Sequence, residues 1–454
     1  MHKGIHKFTL DGLYIVLDIN SGIVHVVDQL VYDILDDFDG ANEAVVLEKW
    51  AHTYDAAELT EVMAELKELE AAEQLFSPDL TVPLTFSEEP IVKSLCLHIA
   101  HDCNLRCGYC FAGTGDFGHN RTMMTSEVGK RAVEFIIEHS GTRKHCEIDF
   151  FGGEPLMNLD VVKEIVAYVR KREQEAGKIF KLTLTTNAVL LNDAVIEYLN
   201  ENNISLVLSM DGREEVHDAM RPYPGGKGSF AQVQPNISKA IFSRNNQNYY
   251  LRGTYTAKNL DFASDVLAMA DMGFKELSVE PVVEKSADYR LTEEHLPAIA
   301  AEYEKLAKAY LERKFAGNGF EFFHFNVDLD HGPCVAKRLS GCGAGHEYYA
   351  VTPDGDLYPC HQFVGRDEYK LGTVFTGVQN QELPLKFRQA HVLNKPACAN
   401  CWARFYCSGG CHANADLFHH DITKPYELGC ELQKKRLECA LYIQAKLAME
   451  QEKK

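Results

Sequence analysis

The chain has 454 residues, 46% apolar and 25% charged, enough for two to four domains with substantial cores. A formal charge of −20 disfavours nucleic acid as the main partner, because phosphate binding relies on clustered Lys and Arg. No apolar run approaches the roughly 18 residues of a membrane span, and residues 1–10 carry charge rather than the apolar segment of a signal peptide. The 14 cysteines therefore point to metal in a reducing cytoplasm rather than to disulfides, with no membrane partner.

Residues 1–90 read as a small separate domain. Three β-branched and aromatic runs, 6–10, 13–17 and 23–27, are separated by Asp11-Gly12 and Asn20-Ser21-Gly22, the pattern of a small antiparallel sheet. From Asp28 the period becomes helical over 28–35, 41–50 and 56–72, the last with Leu59, Val62, Met63, Leu66 and Leu69 as its apolar stripe. A proline-containing connector, 77–90, follows.

From Ser94 to about Arg313, apolar runs alternate with helical segments six times. Strands are expected over 94–100, 146–151, 181–186, 205–210, 249–256 and 276–282, with helices over 126–139, 160–173, 193–202, 231–243, 261–272 and 293–313. This is a parallel α/β arrangement over residues 91–315, and its six units rather than eight resemble a partial (β/α)6 TIM-like barrel, whose site belongs at the C-terminal strand ends.

The first strand runs into Cys103-Asn104-Leu105-Arg106-Cys107-Gly108-Tyr109-Cys110. Three thiols at this spacing leave one iron of a cubane [4Fe-4S] cluster without a protein ligand. The competing reading is zinc, with His98 or His101 as fourth ligand. Later strands end in Gly152-Gly153-Glu154-Pro155, Thr185-Thr186-Asn187 and Ser209-Met210-Asp211-Gly212, and His217-Asp218-Ala219-Met220-Arg221-Pro222 follows.

Past Phe315 the rhythm is lost and residues 316–454 become cysteine-rich. Cys342, Gly355 and Cys360 give C-x12-G-x4-C; Cys398, Cys401, Cys407 and Cys411 give C-x2-C-x5-C-x3-C; Cys430 lies beyond. Cys96, Cys146 and Cys439 fit no motif and read as small buried apolar residues.

The C-x3-C-x2-C run with Tyr109 before its last cysteine resembles the signature of the radical S-adenosylmethionine (SAM) enzymes, and the 342–430 spacing resembles their SPASM extension. The resemblance implies that Cys103, Cys107 and Cys110 carry one [4Fe-4S] cluster whose open iron chelates SAM. Gly152, Gly153, Glu154, Asn187 and Ser209 would contact that cofactor, Arg221 would pair with its carboxylate, and Tyr109 would lie against its adenine. Two auxiliary [4Fe-4S] clusters are implied, a distal one on Cys398, Cys401, Cys407 and Cys430 and a near one on Cys342, Cys360 and Cys411. Seven thiols are one short of two full sets. Either Cys334 is the eighth ligand or the near cluster keeps an open iron.

Residues 1–90 resemble the winged-helix peptide-recognition element of enzymes that modify ribosomally made peptides, where an extended leader adds to an exposed strand edge. Over nearly its whole length the chain resembles the SCIFF maturases of six-cysteine peptides, which join cysteine sulfur to the α-carbon of an acceptor residue. The implied partners are a cysteine-rich precursor peptide, bound through its leader, and an electron donor such as flavodoxin or ferredoxin. The alternatives are an anaerobic sulfatase-type formylglycine maturase, which carries an aspartate where this chain has His361, and a non-enzymatic iron-sulfur carrier. His361, Asp356 and Tyr358 are candidate proton acceptors by position.

Overall fold

The structure, a computed structural model, describes residues 4–38, 42–79, 91–118, 120–329 and 339–453. Cys334 lies outside them.

Three strands, β1 (Ile5–Leu10), β2 (Leu13–Asp18) and β3 (Val24–Val27), form an antiparallel sheet in the order β1-β2-β3. The two-residue side-chain period divides its interior. Ile5 and Val16 face the helices Gln29–Ile34, Glu43–Trp50 and Ala56–Ala71. Phe8, Leu10, Ile15 and Leu17 face the other way and join the main core of the molecule. The first sheet is thus packed on both faces, on one by its own helices and on the other by the C-terminal helix Glu427–Glu452.

The second sheet is built on six parallel strands: β4 (Ser94–Ala100), β5 (His145–Gly152), β6 (Ile179–Thr186), β7 (Ser205–Ser209), β8 (Tyr249–Tyr255) and β9 (Glu276–Pro281). Their alternation is strict. In β5, Cys146, Ile148 and Phe150 are buried against the surrounding helices while Glu147, Asp149 and Phe151 point to the concave side. The intervening helices are amphipathic and several are capped, as where the Thr125 hydroxyl accepts from the Val128 N–H at the start of Ser126–His139. The expected α/β core is therefore present, with a partial barrel of parallel strands.

The sheet does not stop at six strands. A short β10 (Glu321–Phe322) adds in parallel to β9. On the opposite edge β11 (Tyr348–Val351) pairs in parallel with β4 and continues into antiparallel β12 (Asp356–Tyr358), β13 (Gly372–Thr373) and β14 (Gly377–Val378). Among the described residues eleven strands run in the order β10-β9-β8-β7-β6-β5-β4-β11-β12-β13-β14. The cysteine-rich region is thereby hydrogen-bonded to the strand that carries the first cysteine loop, which brings Cys360 beside it. Among the described residues no helix is long and apolar enough to cross a membrane.

Candidate active site

The loop after β4 gathers three thiols. Cys103 lies within electrostatic reach of Cys107, Cys107 of Cys110 and Cys110 of Cys103. Burial pushes Cys103 up to about 12, helped by the neighbouring Glu154 carboxylate. It pushes Cys107 up to about 11 and raises Cys110 as well. Without metal these groups are neutral thiols at pH 7; iron would deprotonate them and release the protons.

Backbone contacts hold the loop in place. Arg106 N–H donates to the Pro222 carbonyl and Gly108 N–H to that of Met220, both at 2.8 Å. The Arg106 guanidinium closes the turn on the carbonyls of Cys103 (2.6 Å) and Leu105 (2.7 Å).

Gly152 and Gly153 sit where no side chain fits. A Cβ on Gly153 would come within 2.1 Å of the Asp102 carbonyl oxygen, and one on Gly152 within 2.3 Å of that of Ala100. In return Gly153 N–H donates to Ala100 (2.7 Å) and Glu154 N–H to Asp102 (2.9 Å). The Glu154 side chain is fully buried and accepts from Thr186 Oγ1 (2.7 Å), Asn187 N (2.8 Å) and Leu156 N (3.1 Å). Burial lifts its carboxyl to about 7 against the pull of those bonds. In this structure Glu154 joins the ends of β5 and β6. Asn187 turns its amide towards the loop, 2.8 Å from Asn104 Oδ1 and 3.6 Å from Cys103 Sγ. Ser209 closes β7.

Asp211, which the motif contained without a stated role, organises the opposite wall. It is fully buried and accepts from Tyr109 Oη (2.6 and 2.8 Å) and from Thr254 N (2.9 Å). Arg221 Nε lies 3.1 Å from the same carboxylate, yet its N–H is not aimed at the oxygen and makes no hydrogen bond. The guanidinium covers the Tyr109 ring at 5.3 Å and reaches the Cys107 thiol. Burial disfavours its charge, but Asp211, Tyr109 and Cys107 more than compensate and hold it cationic. Three neighbouring thiols and a buried cation whose Nε–H has no hydrogen-bond partner are a donor set that fits an iron-sulfur cluster with a carboxylate-bearing ligand.

The second thiol group lies at the β4/β11 side. Burial raises Cys360, followed by the influence of Cys411 and Cys342, and Cys411 in turn lies near Cys342. Cys411 is deep in the protein yet exposed to a cavity of about 290 Å³ that reaches Glu280 and Val282 at the end of β9.

Of the three proton-acceptor candidates, His361 faces the concave side. Its ring stands 5.0 Å from Phe151 and 5.4 Å from Phe111, and its Nδ1 is 3.0 Å from Tyr348 Oη. Burial, then Arg252, lowers it to about 4. Asp356 is paired with Lys370 (2.7 Å) on the antiparallel extension, and Tyr358 is buried in the apolar cluster beside it. Sequence reasoning missed Asp149, on the concave face of β5. Burial lifts its carboxyl to about 7, opposed by a bond from Thr185 Oγ1 (3.3 Å) and by the Arg252 charge. The strand alternation was the available signal.

The third group comprises Cys430, pushed up to about 12 by burial and then by Cys407, Cys398 and Cys401. These four thiols line a cavity of about 680 Å³. Lys395, also missed, is fully buried between the second and third groups, donating to the Gly409 carbonyl at 2.9 Å and within reach of Cys398, Cys407, Cys411 and Cys430. Among the described residues no three His, Cys, Asp or Glu side chains converge on a single ion. A cubane places each thiol on a different iron and asks for no such point.

Residues 97–240 match the radical SAM superfamily, and the core is a radical SAM domain. Residues 342–402 match the SPASM iron-sulfur cluster-binding domain, so the chain carries a radical SAM core and a C-terminal SPASM domain. These domains imply SAM, a [4Fe-4S] cluster on the core and auxiliary clusters on the extension. The chain is 25% identical over 346 residues to a cysteine-type anaerobic sulfatase-maturating enzyme of Clostridium novyi, a match covering 72% of this chain and 90% of that enzyme. The solved structure of native anSMEcpe with bound AdoMet superposes with a TM-score of 0.65 at 22% identity, over 78% of this chain and 99% of that one. SuiB of Streptococcus suis bound to S-adenosylmethionine reaches 0.50 at 14% identity over 94% of this chain and 98% of its own.

Proposed function

We propose that the chain is a peptide-modifying radical SAM enzyme that joins a cysteine sulfur to the α-carbon of an acceptor residue within one ribosomally made, cysteine-rich peptide. The observation that carries this reading is the placement of the near auxiliary thiols, Cys342, Cys360 and Cys411, beside the strand that carries the first cysteine loop. The other four gather at Cys398, Cys401, Cys407 and Cys430, and Cys334 lies outside the described residues. A near cluster held by three thiols would keep one iron for a substrate thiolate, and Cys411 opens on a cavity at the end of β9.

In this reading Cys103, Cys107 and Cys110 hold the core cluster, and Arg221 takes the SAM carboxylate. Tyr109, Gly152, Gly153, Glu154, Asn187 and Ser209 shape the rest of the cofactor site. Bound there, the cofactors supply a 5′-deoxyadenosyl radical and an acceptor for one electron. The balance per crosslink is one hydrogen atom from the carbon, one proton from the thiol and one electron, for one new carbon-sulfur bond. In this reading His361, on the concave side, is the candidate proton acceptor.

Residues 1–90 serve as the leader-binding domain, residues 91–315 as the radical core and residues 316–454 as the cluster-bearing extension. Among the described residues β3 pairs only with β2 and exposes Val26, which supports strand addition of a leader at that edge. Flavodoxin or ferredoxin is the class of electron donor.

A second reading, oxidation of a peptide cysteine to formylglycine, is favoured by the match to the sulfatase-maturating enzyme. Against it stand His361 and the additional N-terminal domain. Anaerobic turnover of a cysteine-rich peptide deuterated at its acceptor α-carbons separates the two. Loss of two hydrogens per crosslink, with deuterium delivered to 5′-deoxyadenosine, supports the thioether. A formylglycine product overturns it.

A further inference from the structure

We propose that the N-terminal domain is an outer wall behind the residues that line the distal cluster site, fixing the loop of Cys398, Cys401 and Cys407 through the side chains of His6 and Asn20. The proposal rests on the reading that these thiols and Cys430 hold a cluster.

Two side chains of the thiol loop leave it for the first domain. Trp402, next to Cys401, lies flat on the His6 ring of β1, with centroids 3.7 Å apart and planes inclined by 2°. His6 Nε2 is itself 3.1 Å from Glu438 Oε1 on the C-terminal helix. The indole lines two cavities, the thiol-lined one of about 680 Å³ and another of about 370 Å³ bounded by His6, Leu296 and Glu438, and shares both with Glu431 and Lys434.

Arg404, three residues after Cys401, makes the other connection. Its Nη2 donates to Asn20 Oδ1 (2.8 Å) and to Asp79 Oδ2 (2.9 Å), while Nη1 donates back to the Ala399 carbonyl within the loop (2.6 Å). The anchor it grips is itself rigid. Buried Asp18 accepts from Asn20 N, Ser21 N and Ser77 N, and Asn20 Nδ2 donates to the Ser77 carbonyl. A planar ring contact and a forked guanidinium thus hold the loop at two points just after Cys401, and the partners of both, His6 and the Asn20/Asp79 pair, belong to the first domain.

His6, Asn20, Trp402 and Arg404 are accordingly positioning residues for the distal thiols. Deleting the first domain would remove a leader site and the outer wall of the cluster site together.

The test uses the full-length, iron-reconstituted protein and follows iron per chain and the rate at which a ferrous chelator removes it. H6A/N20A is expected to release the distal share about tenfold faster, with SAM binding unchanged. His6→Phe, which keeps the stacked ring, is expected to restore slow release. Cys398→Ser/Cys401→Ser is the reference lacking the distal cluster. If that reference holds as much iron as the parent, the cluster reading fails and the proposal with it. If the reference loses one cluster while H6A/N20A releases iron like the parent, the wall alone is refuted. Should H6A/N20A melt below the working temperature, Arg404→Lys decides: faster distal release supports the wall, and parental release overturns it.

Discussion

The first thiol loop and the distal thiol loop are both short cysteine runs, yet different kinds of atoms hold them. Around Cys103, Cys107 and Cys110 the fixed points are main-chain carbonyls of the same barrel, those of Met220 and Pro222 and, for the adjoining glycine loop, Ala100 and Asp102. Around Cys398, Cys401 and Cys407 they include side chains of another domain, with Arg404 reaching Asn20 across 384 positions. Backbone partners are supplied by any sequence that forms the strands. Side-chain partners depend on particular residues at both ends.

The largest expected effect separates the two ends by function. Replacing Cys103, Cys107 and Cys110 by alanine should abolish reductive cleavage of SAM while leaving the auxiliary iron in place. Cys401→Ala should spare uncoupled cleavage and lose the crosslinked product. Formation of 5′-deoxyadenosine, followed by chromatography, checks both; cleavage by the triple variant would remove the first loop from the chemistry.

The same contrast governs what the sequence made legible. The six parallel strands could be read because each carries its own alternation, as in Cys146, Ile148 and Phe150 of β5, and the thiol spacings are local too. The edge pairing of β11 with β4 could not, since Tyr348–Val351 is four residues long and its partner is Ser94–Leu97. A strand so short carries too little period to be recognised. Glu154 was read as a cofactor contact from its motif, whereas its three internal bonds exist only once β5 and β6 are side by side. His6 and Trp402 have no signal in sequence at all, because a stack between distant residues leaves no spacing rule.

Lys395 tests whether the two auxiliary thiol groups are electrostatically joined. Its buried ammonium, its proton affinity lowered by burial, lies within reach of Cys411 on one side and of Cys398, Cys407 and Cys430 on the other. A cation beside a cluster favours the reduced, more negative state. Lys395→Met should therefore move both auxiliary midpoint potentials to more negative values, by tens of millivolts at an effective dielectric of about 20. A redox titration followed by electron paramagnetic resonance reads the shift. A change in one auxiliary signal alone would assign the lysine to that cluster only.

The smallest effect belongs to the radical end and is read as stability. Burial raises the Asp149 carboxyl to about 7 from an ordinary 3.8, so the fold prefers it protonated. Its burial costs little below about pH 4, costs progressively more as the pH rises towards 7 and is constant above that. Undiscounted, a rise of that size corresponds to about 4 kcal/mol, but part of the side chain faces the open concave side, and solvent there reduces the expected cost to about 1–2 kcal/mol. Asp149→Asn removes the charge and keeps the shape. It should stabilise the protein relative to the parent at pH 8, and less at pH 5, in denaturant unfolding followed by circular dichroism. An advantage independent of pH would mean that Asp149 is ionised at little cost in the native barrel, with Arg252 and Thr185 meeting its charge as fully as water would.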